Sequence, residues 1–138
     1  MVDAGQAPHG DRAPLHLPAL ERRQRDFDAW SRVGEVRGPV VVFDLLDEPK
    51  LRAPGFAGYA LFPDCTYTVT VGAVDDAVKV GVGWNPWGRT PRTHDLGALC
   101  AHHGGGGHAV VGGVTLPPDA IALGREVART IVGVLTRD

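Results

Sequence analysis

Thr66-Tyr67-Thr68-Val69-Thr70-Val71-Gly72-Ala73-Val74-Asp75-Asp76-Ala77-Val78-Lys79-Val80-Gly81-Val82-Gly83-Trp84 is the stretch that decides the fold. Tyr67, Val69 and Val71 alternate with Thr66, Thr68 and Thr70, and Val78, Val80, Val82 and Trp84 alternate with Lys79, Gly81 and Gly83. Alternation of this kind, rich in β-branched residues, marks half-buried strands. Asp75-Asp76 between the two runs predicts the turn of a β-hairpin. Gly81 and Gly83 share one face of the second strand, where missing side chains weaken packing and mark close approach of another backbone or a ligand.

Toward the N-terminus, Pro39-Val40-Val41-Val42-Phe43-Asp44-Leu45-Leu46 is a nearly continuous apolar run. It predicts a central strand covered on both faces. Asp44, Asp47 and Glu48 then fall at the end of that strand, where open α/β sheets place ligands. Loop solvation and helix capping also account for these carboxylates. Residues 51–63, with Pro54, Gly55, Gly58 and Pro63, predict a loop holding a short strand near residues 59–62. Residues 19–33 predict a helix whose stripe is Leu20, Phe27, Trp30 and Val33, with Gly34 ending it. Residues 1–18, with Pro8, Gly10, Pro14 and Pro18, predict a tail or linker in which His9 and His16 are solvated.

Toward the C-terminus, Asn85-Pro86-Trp87-Gly88-Arg89-Thr90-Pro91-Arg92 mixes amide, aromatic and guanidinium groups. Such a loop is able to stack a base or grip a phosphate, or it is a structural loop pinned by Trp87. Thr93 or Asp95 caps a short helix through Leu96, Leu99 and His102. That helix delivers the chain into Gly104-Gly105-Gly106-Gly107-His108. Four glycines cannot fill a core and lose much backbone entropy on folding. Their use is to let N–H groups approach an anion closely, and His108 adds a side-chain donor, which predicts a phosphate-binding turn. Residues 109–116 predict another strand. Pro117-Pro118-Asp119 opens a final helix, its buried stripe being Ala120, Leu123 or Gly124, Val127, Ile131 and Leu135, with Arg125 and Arg129 in solvent.

The bulk properties bound these expectations. A length of 138 residues suits one domain, able to bury about two-thirds of the surface of its unfolded chain. At 43% hydrophobic and 22% charged residues, the composition is that of an ordinary globular protein. A net charge of -2 gives no global basic footprint of the kind duplex-binding domains show. Cys65 and Cys100 stand far apart and suggest no disulfide framework. No apolar run has the length of a membrane span, and residues 1–18 lack the basic start and apolar core of a signal peptide, so a cytoplasmic protein without membrane association is expected.

Residues 78–113 carry a family resemblance. A strand ending in a loop, a short helix, and then Gly105-Gly106-Gly107-His108-Ala109-Val110-Val111-Gly112-Gly113 resembles the C-terminal DHH-associated domain of the DHH-type phosphoesterases. That superfamily includes oligoribonucleases, single-strand-specific exonucleases, cyclic-dinucleotide phosphodiesterases and exopolyphosphatases. The glycine and histidine positions match its glycine-rich turn, while the small-residue step that follows reads Val111-Gly112-Gly113. The resemblance implies an α/β (α+β) domain over residues 19–138, built on a single mixed sheet of about five strands flanked by helices. It implies that the Gly104, Gly105, Gly106 and Gly107 run and His108 hold a phosphate-bearing small molecule, a short single-stranded oligonucleotide or polyphosphate. Arg89 or Arg92 would replace an arginine that the family carries near Gly81-Val82-Gly83-Trp84.

In that family a separate N-terminal domain carries an Asp-His-His motif and a pair of divalent metals such as manganese. No Asp-His-His is present here. The expectation is therefore a substrate-binding domain with no catalytic residue and no cofactor of its own, served by a separate catalytic domain, since hydrolysis of this type needs metal-generated hydroxide. Other readings compete. Asp44, Asp47, Glu48 and His94 could form a compact metal-dependent phosphoesterase. Cys100, His102, His103 and His108 offer a zinc set of unusual spacing, and Cys100 beside His102 or His103 offers a nucleophile. A degenerate domain would instead use Trp84, Trp87 and the first helix as an interaction surface.

Overall fold

A computed structural model describes residues 9–137. Residues 1–8 of the expected tail lie outside the described residues. The elements in order are α1 (His9–Val33), β1 (Glu35–Arg37), β2 (Val40–Asp44), α2 (Phe56–Leu61), β3 (Tyr67–Val74), β4 (Ala77–Trp84), α3 (Leu96–Ala101), β5 (Gly106–His108), β6 (Val111–Leu116) and α4 (Ile121–Leu135). The strands form one mixed sheet in the order β1-β2-β3-β4-β6-β5. Only the β2–β3 pair is parallel among the described strands, with Val40 opposite Tyr67 and Asp44 opposite Val71. A parallel pair needs a crossover, and residues 45–66 supply it with α2 inside.

The predicted hairpin is present, with Tyr67 opposite Trp84 and Val74 opposite Ala77, and Asp75 turns at φ 54. Its valines line the covered face of the sheet. Val69, Val71, Val78, Val80, Val82 and Val114 are buried against Leu96 and Cys100 of α3 and Val127, Ala128, Ile131 and Leu135 of α4. In α4 the inward position is Gly124, because a side chain there would meet Val78, and Leu123 is exposed.

The opposite face is roofed only in part. Trp30 of α1 and Tyr59 of α2 pack with Val41, Phe43, Leu45 and Cys65, joined by Phe27, Val33 and Phe62. Trp30 also donates from Nε1 to the Arg52 carbonyl at 2.8 Å, tying α1 to the crossover. This roof lies over β2 and β3, with the Tyr59 hydroxyl reaching as far as Gly83 of β4.

Several expectations are corrected. The first helix is described from His9 rather than from residue 19, and Leu20 of its stripe is exposed. Residues 59–62 form no strand, since Phe56–Leu61 is a helix; a short apolar run does not by its period distinguish the two, and burial of Tyr59 against the sheet decides it. A sixth strand, β1, pairs with β2 through Gly38 at φ 57. The expected strand 109–116 starts at Val111, because Ala109 and Val110 form the turn of a hairpin whose other strand, β5, lies inside the glycine run. Arg125 is not in free solvent: it reaches from α4 to Asp44 Oδ2 at 2.7 Å and Asp47 Oδ2 at 3.1 Å. These carboxylates push its pKa up, the Asp44 hydrogen bond most.

Candidate functional site: the glycine hairpin and the bare sheet face

Asp95 starts α3 in extended conformation, its side chain accepting from the Ala98 N–H at 3.0 Å; an aspartate cap is among the best for an unpaired helical N–H. At the other end Gly104 takes φ 86, with its N–H on the Ala101 carbonyl at 3.1 Å and that of Gly105 on the Cys100 carbonyl at 3.0 Å. A left-handed glycine with such bonds is a helix C-cap. The first half of the glycine run thus closes α3, and the Gly105 amide, expected to face a phosphate, is spent there.

The second half is β5, with Gly106 opposite Gly113, Gly107 opposite Gly112 and His108 opposite Val111. Residues directly opposite share a face, and successive residues alternate. Gly107 faces α3. It has φ 143, and a Cβ there would collide with the Val111 carbonyl, while a Cβ on Gly97 of α3 would lie 2.6 Å from Gly107. Gly112, the partner of Gly107, is equally constrained, since a Cβ there would lie 2.6 Å from the Leu96 carbonyl oxygen and 2.8 Å from Cys100 Sγ. Gly106 and His108 face the other way. Nothing lies within 4 Å of a Cβ placed on Gly106, and His108 is exposed.

The registers continue these positions across the sheet. Gly106, Gly113, Gly81 and Thr70 form one row, and His108, Val111, Gly83 and Thr68 the next, all on the face that α3 and α4 do not cover. The Gly81 and Gly83 face singled out in the sequence is therefore the face of His108. Val111 is half exposed between them. β5 is the sheet edge, and every second N–H of an antiparallel edge strand points away from the ladder.

The loop between β4 and α3 is held at both ends by the β5–β6 turn: the Trp84 N–H donates to the Val110 carbonyl at 3.1 Å and the Leu96 N–H to the Ala109 carbonyl at 2.9 Å. Asn85, 1% exposed, anchors its start. Its Nδ2 donates to the Pro63 and Cys65 carbonyls at 3.2 and 2.9 Å, and its Oδ1 accepts from the Trp87 N–H at 3.0 Å. Trp87 is thereby set on the bare-face side against Phe56 and Tyr59, ring centroids 5.3 and 6.2 Å away. The loop then crosses the sheet end: the Thr93 N–H donates to Tyr67 Oη at 2.8 Å, and His94 packs edge-on to the Tyr67 ring on the covered side. Arg92 is tied to the His94 carbonyl at 2.8 Å. Arg89 is exposed at the crossing.

The competing chemistries are not assembled. Among the described residues no three His, Cys, Asp or Glu groups come within reach of one metal ion. Asp44 and Asp47 are bound to Arg125. His94 sits by Tyr67, and Tyr67 lies four residues along β3 from Val71, the partner of Asp44, about 13 Å at 3.3 Å per residue. Cys100 is buried under Gly112 while His108 faces the other side, which separates the zinc set. Burial also raises the Cys100 thiol pKa, the wrong direction for a nucleophile. Trp84 packs against the covered core and not beside Trp87.

A groove of about 610 Å³ lies elsewhere, between β1, β2 and α4. Sequence reasoning missed it, because its rim pairs Arg37 with Glu35 and Arg125 with Asp44, and the second of these contacts spans 81 residues.

No protein-family model matches the chain, and no curated protein matches it. Among solved structures it is similar to a pGpG-specific phosphodiesterase, PggH from Vibrio cholerae, with a TM-score of 0.62 and 25% identity. The likeness covers 80% of this chain and 40% of that one. The chain shares its fold with part of a phosphodiesterase. It spans about two fifths of that protein's length. No helix among the described residues is long and apolar enough to cross a membrane.

Proposed function

We propose that the chain is the substrate-binding domain of a DHH-type phosphoesterase, and that it holds the phosphates of dinucleotides or short oligonucleotides at His108 and the edge amides of β5. The observation that carries this reading is the shared orientation of Gly106 and His108 toward the uncovered sheet face. The His108 imidazole is exposed there, and at Gly106 no side chain keeps an anion from the edge strand. The likeness to a pGpG phosphodiesterase supports the substrate class. Arg89 adds an exposed positive charge in the loop that carries Trp87, whereas Arg92 braces its own loop.

The described residues do not fit a metal pair, since no donor set converges. The divalent metals of the DHH-type reaction would belong to a separate catalytic domain, and no hydrolytic step is assigned to these residues. What they supply is binding and orientation of the phosphate.

Titration calorimetry with the 5′-phosphorylated dinucleotide pGpG tests the reading. A hydrogen bond to a charged group contributes about 1.5–3 kcal/mol, so His108→Ala should weaken binding at least tenfold. Equal affinity of the two proteins removes His108 from the site, and absence of binding by the parent protein removes the reading.

A further inference from the structure

Beside the bare face two aromatic rings stand largely outside the core, on a third, Tyr59, that belongs to it. Phe56 and Trp87 are each 66% exposed, their rings tilted by 43° at 5.3 Å, with Tyr59 edge-on beneath Trp87 at 86°. Large exposed aromatics next to one another mark a binding surface. This surface is rigid: Trp87 is fixed through the buried Asn85, and Tyr59 Oη lies 3.3 Å from Thr68 Oγ1. Tyr59 also abuts Gly83, where a Cβ would strike its hydroxyl.

Gly83 belongs to the row that ends at His108. Strands lie about 4.8 Å apart, so the shelf and His108 are separated by two strand spacings, about 10 Å. The floor between them is peptide backbone and Val111, because Gly81, Gly83, Gly113 and Gly106 carry no side chains. Residues 85–94 contribute the exposed Arg89 and no carboxylate. Flat apolar rings, a flat floor and local positive charge fit a ligand that is planar at one end and anionic at the other.

We propose that Phe56 and Trp87, supported from below by the buried Tyr59, form a nucleobase-stacking subsite, which makes the ligand of this face a nucleotide and not a polyphosphate. The proposal rests on the phosphate-binding reading of His108. Aromatic faces stack any base, so the subsite distinguishes nucleotide from inorganic phosphate and leaves base identity unread.

Calorimetry with pGpG and with inorganic tripolyphosphate, on the 138-residue chain and its Trp87→Ala, Trp87→Phe and His108→Ala variants, separates the two claims. Trp87→Ala should weaken pGpG binding about tenfold or more and leave tripolyphosphate binding within twofold, and Trp87→Phe should keep most of the pGpG affinity. His108→Ala should weaken both ligands. If His108→Ala weakens both ligands while Trp87→Ala changes neither, the stacking subsite is overturned and the phosphate reading stands. If His108→Ala changes neither, the phosphate reading itself fails. Equal weakening of both ligands by Trp87→Ala, or a change of oligomeric state with unchanged pGpG affinity, also overturns the subsite, the latter assigning Trp87 to a protein interface.

Discussion

On the sheet face covered by α3 and α4, Gly107 and Gly112 are glycines because α3 and the hairpin backbone occupy the space of their side chains. On the opposite face Gly106 and Gly113, one residue along in the same two strands, have room for a Cβ: nothing lies within 4 Å of Gly106, and only the Val80 carbonyl at 3.5 Å approaches Gly113. Both faces are poor in side chains, yet packing accounts for them differently. On the second face Thr70 and Tyr59 occupy the space of a Cβ at Gly81 and Gly83, while at Gly106 and Gly113 no neighbour fills it. A glycine run is therefore not one feature with one role, and its members are assigned by the face each presents.

The comparison is broken most directly on the covered face. Gly107→Ala forces an alanine into φ 143 and against the Val111 carbonyl, combining about 1–2 kcal/mol of backbone strain with about 1–3 kcal/mol of overpacking. We expect a loss of about 3 kcal/mol in chemical denaturation and a thermal midpoint roughly 10 °C lower. A variant as stable as the parent would show that α3 does not sit tightly on β5.

Removing the anchor that puts Trp87 on the bare face comes next. Asn85→Ala deletes three hydrogen bonds and leaves the buried Cys65 carbonyl without its donor, at a cost of about 2 kcal/mol. Trp87 fluorescence anisotropy should fall with it. Unchanged anisotropy would separate the shelf from this anchor.

A pH series sharpens the picture of the roof over β2. Burial pushes the Cys65 thiol from its ordinary 9.0 up to about 11. Between those values the unfolded chain has lost the proton that the folded chain keeps, so stability falls as pH rises, by up to ~1.4 kcal/mol per pH unit. Below pH 9 both states are protonated and the slope vanishes. Urea midpoints of the parent and Cys65→Ala should diverge in slope only in that window, and parallel curves would place Cys65 in solvent.

The smallest effects are expected where nothing packs. Gly106→Ala and Gly113→Ala should each change stability by no more than about 0.5 kcal/mol, while Gly106→Ala obstructs an anion approaching β5 and weakens pGpG binding. A large loss of stability from either would mean that part of the chain covers this face.

The hairpin of β3 and β4 was legible in the sequence because its valines and threonines alternate without interruption. β5 was not, since glycines have no side chains to alternate, and only pairing with β6 reveals the strand. The glycine run is legible in the sequence as a turn that follows α3, but its division between capping α3 and forming β5 is not, since that depends on where α3 returns. The short apolar run at residues 59–62 fits either period, so the sequence alone does not show that Tyr59 is helical. The place of Arg125 is not legible in the sequence, because its partners, Asp44 and Asp47, lie far back in the chain.

The turn at Ala109 and Val110 has a mechanical consequence. Its two carbonyls receive the first and last amides of the neighbouring loop, so the loop carrying Trp87 and Arg89 is clamped to the hairpin that carries His108. If the hairpin tips, the loop tips with it. Two backbone hydrogen bonds thus tie the two ends of the bare face into one body, so the distance between Trp87 and His108 is set by the fold of the hairpin and not by the course of the loop alone.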